Sequence, residues 1–141
     1  MLRKKQILVL SELRSNSRQS IAGIAKKLNM PSSTVHDIYK ELKPCIAKNT
    51  SLINFEKLGY SLRVDFIFRI SNNKIIDNFL IKNKNINSLS RINNRHTILA
   101  ECFFKNIKDA YEFKENLQEM GVRHVEIRYI IDEIKKETFC R

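Results

Sequence analysis
No apolar run in this 141-residue chain approaches the roughly 18 residues that a membrane-spanning helix requires, so no membrane partner is expected. The start is basic, with Arg3, Lys4 and Lys5 ahead of Ile7–Leu10, but Ser11 and Glu12 end the apolar stretch and no small-residue cleavage site follows. That is not the layout of a secretory signal, and a cytoplasmic protein is expected. Cysteine is scarce and odd in number: Cys45, Cys102 and Cys140, with no C-x-x-C, give no disulfide framework. Cys102 lies in an apolar alternating stretch and reads as a small core residue. The three histidines, His36, His96 and His124, are far apart and none is spaced with Cys, Asp or Glu as a metal-ligand set. Neither a metal nor another cofactor is expected. Acidic residues are few as well: 15 Asp and Glu stand against 26 Lys and Arg, a net charge of +11, which favours a polyanionic partner. The imbalance is uneven. Residues 1–50 hold 10 basic against 3 acidic side chains, and residues 51–141 hold 16 against 12.

The basic half is also the half with the clearest motif. Leu2 to Arg14 repeats Ile7, Leu8, Leu10 and Leu13 at helical spacing. Ser20 is placed to cap a second helix with Ile21, Ile24, Ala25 and Leu28 inward, and Gly23 in it would let a neighbouring helix come close. The break Asn29-Met30-Pro31-Ser32 follows, with Ser32 as cap. A third helix then runs to about Lys43, with Val35, Ile38, Tyr39 and Leu42 inward and Pro44 ending it. Two short helices about a sharp turn form a helix-turn-helix, a motif that sets its second helix in the DNA major groove. Ile46–Lys48 and Ser51–Ile53, about Asn49-Thr50, are candidate wing strands.

Beyond Tyr60 the pattern changes. Leu62, Val64, Phe66, Phe68 and Ile70 alternate with period two, hence a strand. Ser71-Asn72-Asn73 makes a turn and cap. Ile75, Ile76, Phe79 and Leu80 mark a helix face. Strands follow at Ile86–Ile92 and Thr97–Phe104. Asn106 caps a helix carrying Ala110, Phe113, Leu117 and Met120, closed by Gly121, and Val125, Ile127, Tyr129 and Ile131 alternate again. Tyr111 and Phe113 read as core rather than as a ligand box. The order β-α-β-β-α-β is the ferredoxin-like unit. Ile67, out of phase with its strand's core set, makes the second sheet face apolar, which predicts a dimer through the sheet. Two-fold symmetry would then place two recognition helices about 34 Å apart.

The stretches S-S-T-V-H-D-I-Y-K-E-L, Ser32–Leu42, and L-I-N-F-E-K-L-G-Y, Leu52–Tyr60, together with the β-α-β-β-α-β half, resemble the Lrp/AsnC feast/famine transcription regulators of bacteria and archaea. The resemblance implies an α+β protein in which an N-terminal winged helix-turn-helix (1–54) is joined by a linker (55–61) to a C-terminal ferredoxin-like dimerisation and effector domain (62–141). It also implies homodimers, up to four of them in a ring (an octamer), on pseudo-palindromic double-stranded DNA. A small effector, usually an amino acid, would sit near the turn joining the middle two strands, here Asn93, Asn94, Arg95 and His96. That turn lacks the Gly and Asp of the family's G-x-x-D, which argues against an amino acid. The family's recognition-helix Arg falls at Ile38.

The candidate DNA contacts are Gln19, Ser20, Ser32, Ser33, Thr34, His36, Asp37, Lys40 and Lys48. Ser33 and Thr34 suit bases or phosphates, His36 guanine or phosphate, and Lys40 and Lys48 phosphate. Lys26 and Lys27 are nonspecific phosphate candidates. Ser20 is equally a plain cap. Asp37 repels phosphate and is read as pairing with Lys40 or Lys26. Two other functions share parts of this pattern: a nucleoid-organising protein, and a sirohaem-type decarboxylase, which would need His and basic residues gathered around a tetrapyrrole cavity. The scattered histidines offer no such gathering in the sequence, and an enzyme is not expected.

Overall fold
The structure, a computed structural model, describes residues 2–71 and 73–135. Asn72, within the predicted turn, and Cys140 lie outside the described residues. The chain divides into two compact units, parted between Leu52 and Ile53.

The first unit is three helices: α1 (Lys4–Ser15), α2 (Ile21–Leu28) and α3 (Ser32–Leu42). Local bonds set both ends of α2. The Ser20 Oγ accepts from the Gly23 N–H at 3.0 Å and starts α2. Asn29, in the left-handed region at φ 51°, ends it, and the Met30 N–H reaches the Ala25 carbonyl at 2.9 Å. Asn tolerates this backbone better than most residues with a β-carbon. The cap of α3 is Pro31 rather than Ser32, which is already helical and gives no side-chain cap. Proline's fixed φ suits a helix entry, and its nitrogen carries no N–H to be left unpaired. Val9, Ile24, Ala25, Val35, Ile38 and Leu42 bury together as the core, each large one stabilising the unit by about 1.5–3 kcal/mol. Gly23 has another role than the one expected: a β-carbon there would meet the Ser20 Oγ at 3.2 Å, so its smallness serves the cap and not a helix crossing.

The wing strands do not form. Lys43–Cys45 make one 3-10 turn, and residues 46–53 carry no strand. Two or three residues on each side give too few ladder bonds to offset the ordering of the turn between them. This segment and α1 line a shallow cavity bounded by Leu10, Leu13, Ile46 and Leu52.

The second unit is a four-stranded antiparallel sheet with strand order β2-β3-β1-β4, built from β1 (Leu62–Arg69), β2 (Ile86–Arg91), β3 (Thr97–Phe104) and β4 (Arg123–Ile130). Helices α4 (Lys74–Lys82) and α5 (Ile107–Glu119) pack on one face. Asn73 and Asn106 cap them, accepting from Ile75 and Asp109 N–H groups at 2.9 Å each. Phe66, Phe104 and Phe113 meet at ring-centre distances of 4.9 to 6.1 Å in the middle of the core. Cys102 is fully buried there. Burial first, then the Asp65 and Glu101 carboxylates, push its thiol up to about 12. A thiol held protonated and covered is unreactive. Cys102 should therefore escape a thiol reagent in the native chain and react once urea unfolds it, while exposed Cys45 reacts in both, as peptide mass spectrometry would read.

Three residues expected in the core are outside it: Ile75 is 72% exposed, Ile131 97% and Tyr111 51%. Ile75 shares a helix with Ile76 and Leu80, which already fill the inward stripe. Ile131 lies past the last pair of β4 with β1. The segment read as a linker is packed on the second unit. Phe55 stacks on Phe103 at 3.9 Å, Gly59 at φ 84° turns the chain, and the Lys105 ammonium lies 5.5 Å from the Tyr60 ring centre.

Candidate nucleic-acid interface
Helix α3 separates its residues by periodicity. Val35, Ile38 and Leu42 are buried, and Ser32, Ser33, His36, Asp37 and Lys40 are exposed, with Thr34 half-buried beside them. The inward stripe fixes the rotation of the helix, so the outward set is presented as one face. Ile38 belongs to the core and cannot reach DNA. With Pro31 as cap, the first backbone N–H groups of α3 have no side-chain partner. They add a donor end suited to phosphate beside Ser33 and Thr34.

The other candidates divide. Gln19 is half-buried and donates from its amide to the Glu12 carbonyl at 3.0 Å, a bond that ties the approach to α2 onto α1. Ser20 spends its oxygen on the cap. Lys27 pairs with Glu12 at 3.2 Å, whereas Lys26 and Lys48 are exposed. Asp37 does not pair with Lys40 or Lys26. Its carboxylate lies 3.8 Å from the His36 Nδ1. This contact places an acidic group beside His36. At the far end of the helix the Glu41 carboxylate takes Arg3 at 2.6 Å and Gln6 at 2.7 Å. The bonds from Arg3 and then Gln6 hold its carboxyl below the usual carboxylate range, so the tie persists through that range and is lost only as the pH falls through the lowered value beneath it. Nothing in the local sequence pattern reveals this link, since its ends are 38 positions apart.

A second surface is the sheet face away from α4 and α5. Ile67, Leu99 and Phe103 are half-buried there around a charged centre. Arg63 pairs with Glu101 at 2.5 Å and also with Glu133. Asp65 stands opposite Glu101 on β3 and Arg128 on β4. Burial, and then the Glu101 charge, raise the Asp65 carboxyl above its ordinary range. An acid raised in the fold works against stability when ionised, and a fall in pH through its raised value relieves that cost.

The turn Asn93–His96 joins β2 to β3, with all four residues exposed and Asn93 at φ 60°. Asn94 and His96 line a basin together with Arg69, Arg123 and His124. The fold therefore gathers two histidines and two arginines that the sequence scatters. Among the described residues no group of three or more His, Cys, Asp or Glu could hold a metal ion, and no helix is long and apolar enough to cross a membrane.

Residues 2–43 match a sequence family described as winged helix-turn-helix DNA-binding. Over 135 residues, 93% of this chain and 91% of the relative, the sequence is 27% identical to an HTH-type transcriptional regulator of Pyrococcus furiosus. Its structure is similar to that of Bacillus subtilis LrpC, with a TM-score of 0.84 at 16% identity, covering 96% of this chain and 98% of that one. It is similar also to Escherichia coli AsnC, with a TM-score of 0.79 at 16% identity over 99% and 98% of the two chains. The sequence relative is named a transcriptional regulator, which favours neither the nucleoid organiser nor the tetrapyrrole decarboxylase.

Proposed function
We propose that this chain, a helix-turn-helix transcriptional regulator built on the Lrp/AsnC fold and not an enzyme, binds operator DNA on the nucleoid as a symmetric homodimer. The observation that carries the reading is the exposed face of α3, where Ser33, Thr34, His36 and Lys40 stand over buried Val35, Ile38 and Leu42. Small hydroxyls and an imidazole suit base edges, and the lysine and the free N–H groups suit the backbone. The excess of basic residues in the same half supports the electrostatic share of binding.

The half-buried apolar groups of the open sheet face, Ile67 and Leu99, support pairing through the sheet. Regulation by a small molecule other than an amino acid fits the β2–β3 turn, which has no carboxylate for an ammonium group.

Selection of duplexes from a random pool by the full chain tests the reading. The expected product is a pseudo-palindrome with half-sites about 10 base pairs apart or a multiple of that, bound with a steep inverse dependence on salt. Equal micromolar binding to every duplex, with no enriched sequence, would sink the operator-binding claim.

A further inference from the structure
The basin at the end of the sheet lies where β1 ends, β4 begins and the β2–β3 turn closes. Its volume is about 590 Å³, in the range of small-molecule sites. Arg69 of β1 is directly paired with Arg123 of β4. Like charges facing each other across an antiparallel pair oppose folding, and among the described residues neither guanidinium has an ion-pair or hydrogen-bond partner. His96 and His124 add two imidazoles to the same walls, and among the described residues no carboxylate lines the basin. The backbone is committed to this arrangement. The register of β1 with β4 shifts between Ile67 and Arg69, and His124 sits in the left-handed region at φ 54°. Register shifts of this kind re-aim side chains at the rim of a sheet. On the opposite wall the Asn94 carboxamide oxygen accepts from the His96 and Thr97 N–H groups at 2.8 and 3.0 Å and from the Thr97 hydroxyl at 3.1 Å. The turn that carries His96 is therefore held rather than loose.

We propose that this basin binds a small polyanion, a metabolite with two or more phosphate or carboxylate charges. Two guanidiniums on adjacent strands present paired N–H donors that match such oxygens, and the imidazoles supply further donors. A single negative charge would leave the Arg69–Arg123 repulsion half-compensated. A free amino acid would bring an ammonium group against two arginines, with no acid among the described lining residues to receive it. The inference deepens the effector part of the proposed function and is independent of operator recognition, because the binding is measured without DNA.

The test is calorimetric titration of the full chain with pyrophosphate, and separately with citrate, at ionic strength held constant with sodium chloride. L-methionine and acetate serve as comparators. Saturable binding of the polyanions, one per protomer, is expected, with no heat from the comparators. The double variant Arg69→Gln, Arg123→Gln should weaken pyrophosphate roughly tenfold or more, and Lys84→Gln, the removal of a charge elsewhere on the unit, should not. Without anion, the double variant should melt no lower than the original chain, since a repulsive pair has gone. If it fails to fold, Arg123→Lys, which keeps the charge and loses the fork, must show the weakening instead. Undiminished pyrophosphate binding by these variants, a non-saturating response that follows ionic strength alone, or equal binding of L-methionine overturns the proposal. So does competition by non-operator DNA that needs both arginines, because the ligand would then be the nucleic-acid backbone.

Discussion

Changing His36 and Lys40 together to alanine should lower operator affinity by at least about 30-fold while leaving the thermal unfolding of the chain nearly unchanged. Both side chains are exposed on α3, so their removal opens no cavity, and surface changes of this kind usually stay within about 0.5 kcal/mol. The two losses should separate by mechanism. A base contact is worth about 1–3 kcal/mol, and a dimer presents each residue twice, so His36→Ala alone should flatten discrimination at one base pair in each half-site. Lys40→Ala should weaken all duplexes alike and reduce the slope of log affinity against log salt by about 0.9 per half-site. Fluorescence anisotropy over a salt series reads both quantities. A His36→Ala chain that kept full discrimination among single-base variants of the operator would remove His36 from the reading face.

Phe66→Ala should cost the second unit about 3–5 kcal/mol, a large part of the 5–15 kcal/mol that holds a typical domain. The ring is fully buried and lies edge-on to Phe104 and Phe113, at 6.1 and 4.9 Å. Its loss removes the transfer energy of the side chain, two aromatic contacts and the packing of every neighbour around the hole. The neighbours come from β3 and α5 as well as β1, and a sheet and a helix cannot collapse onto a vacancy without breaking their own backbone bonds. A shift of the urea midpoint equivalent to under about 1 kcal/mol would contradict this packing. Ile75→Ala, on the same unit but 72% exposed, is the matched control and should shift little.

The elements legible in the sequence are those whose signal is local. Alternation delimits β1 and β3, and Asn106, Gly121 and Ser20 punctuate helices by bonds that reach only two or three residues. The inward stripe of α3 is periodic, so its outward face follows from the residue spacing alone. Ile75 misleads because a helix with three or four apolar positions buries only those that its neighbours cover, and period alone does not say which. The wing misleads because strand candidates of two or three residues depend on partners, and propensity cannot count partners. Phe55 and Tyr60 pass for a linker because what they pack on, Phe103 and Lys105, lies more than forty positions further along the chain.

The sequence by itself determined that this is a basic helix-turn-helix chain joined to a β-α-β-β-α-β unit, because charge, caps and periodicity act within a few residues. Only the tertiary structure decided where the charges meet. Gln19 and Lys27 are tied to Glu12, Arg3 and Gln6 are drawn to Glu41, and Arg69, His96, Arg123 and His124 are brought to one rim of the sheet. Electrostatic energy falls with distance in space, and helix packing and strand pairing, not sequence separation, set that distance.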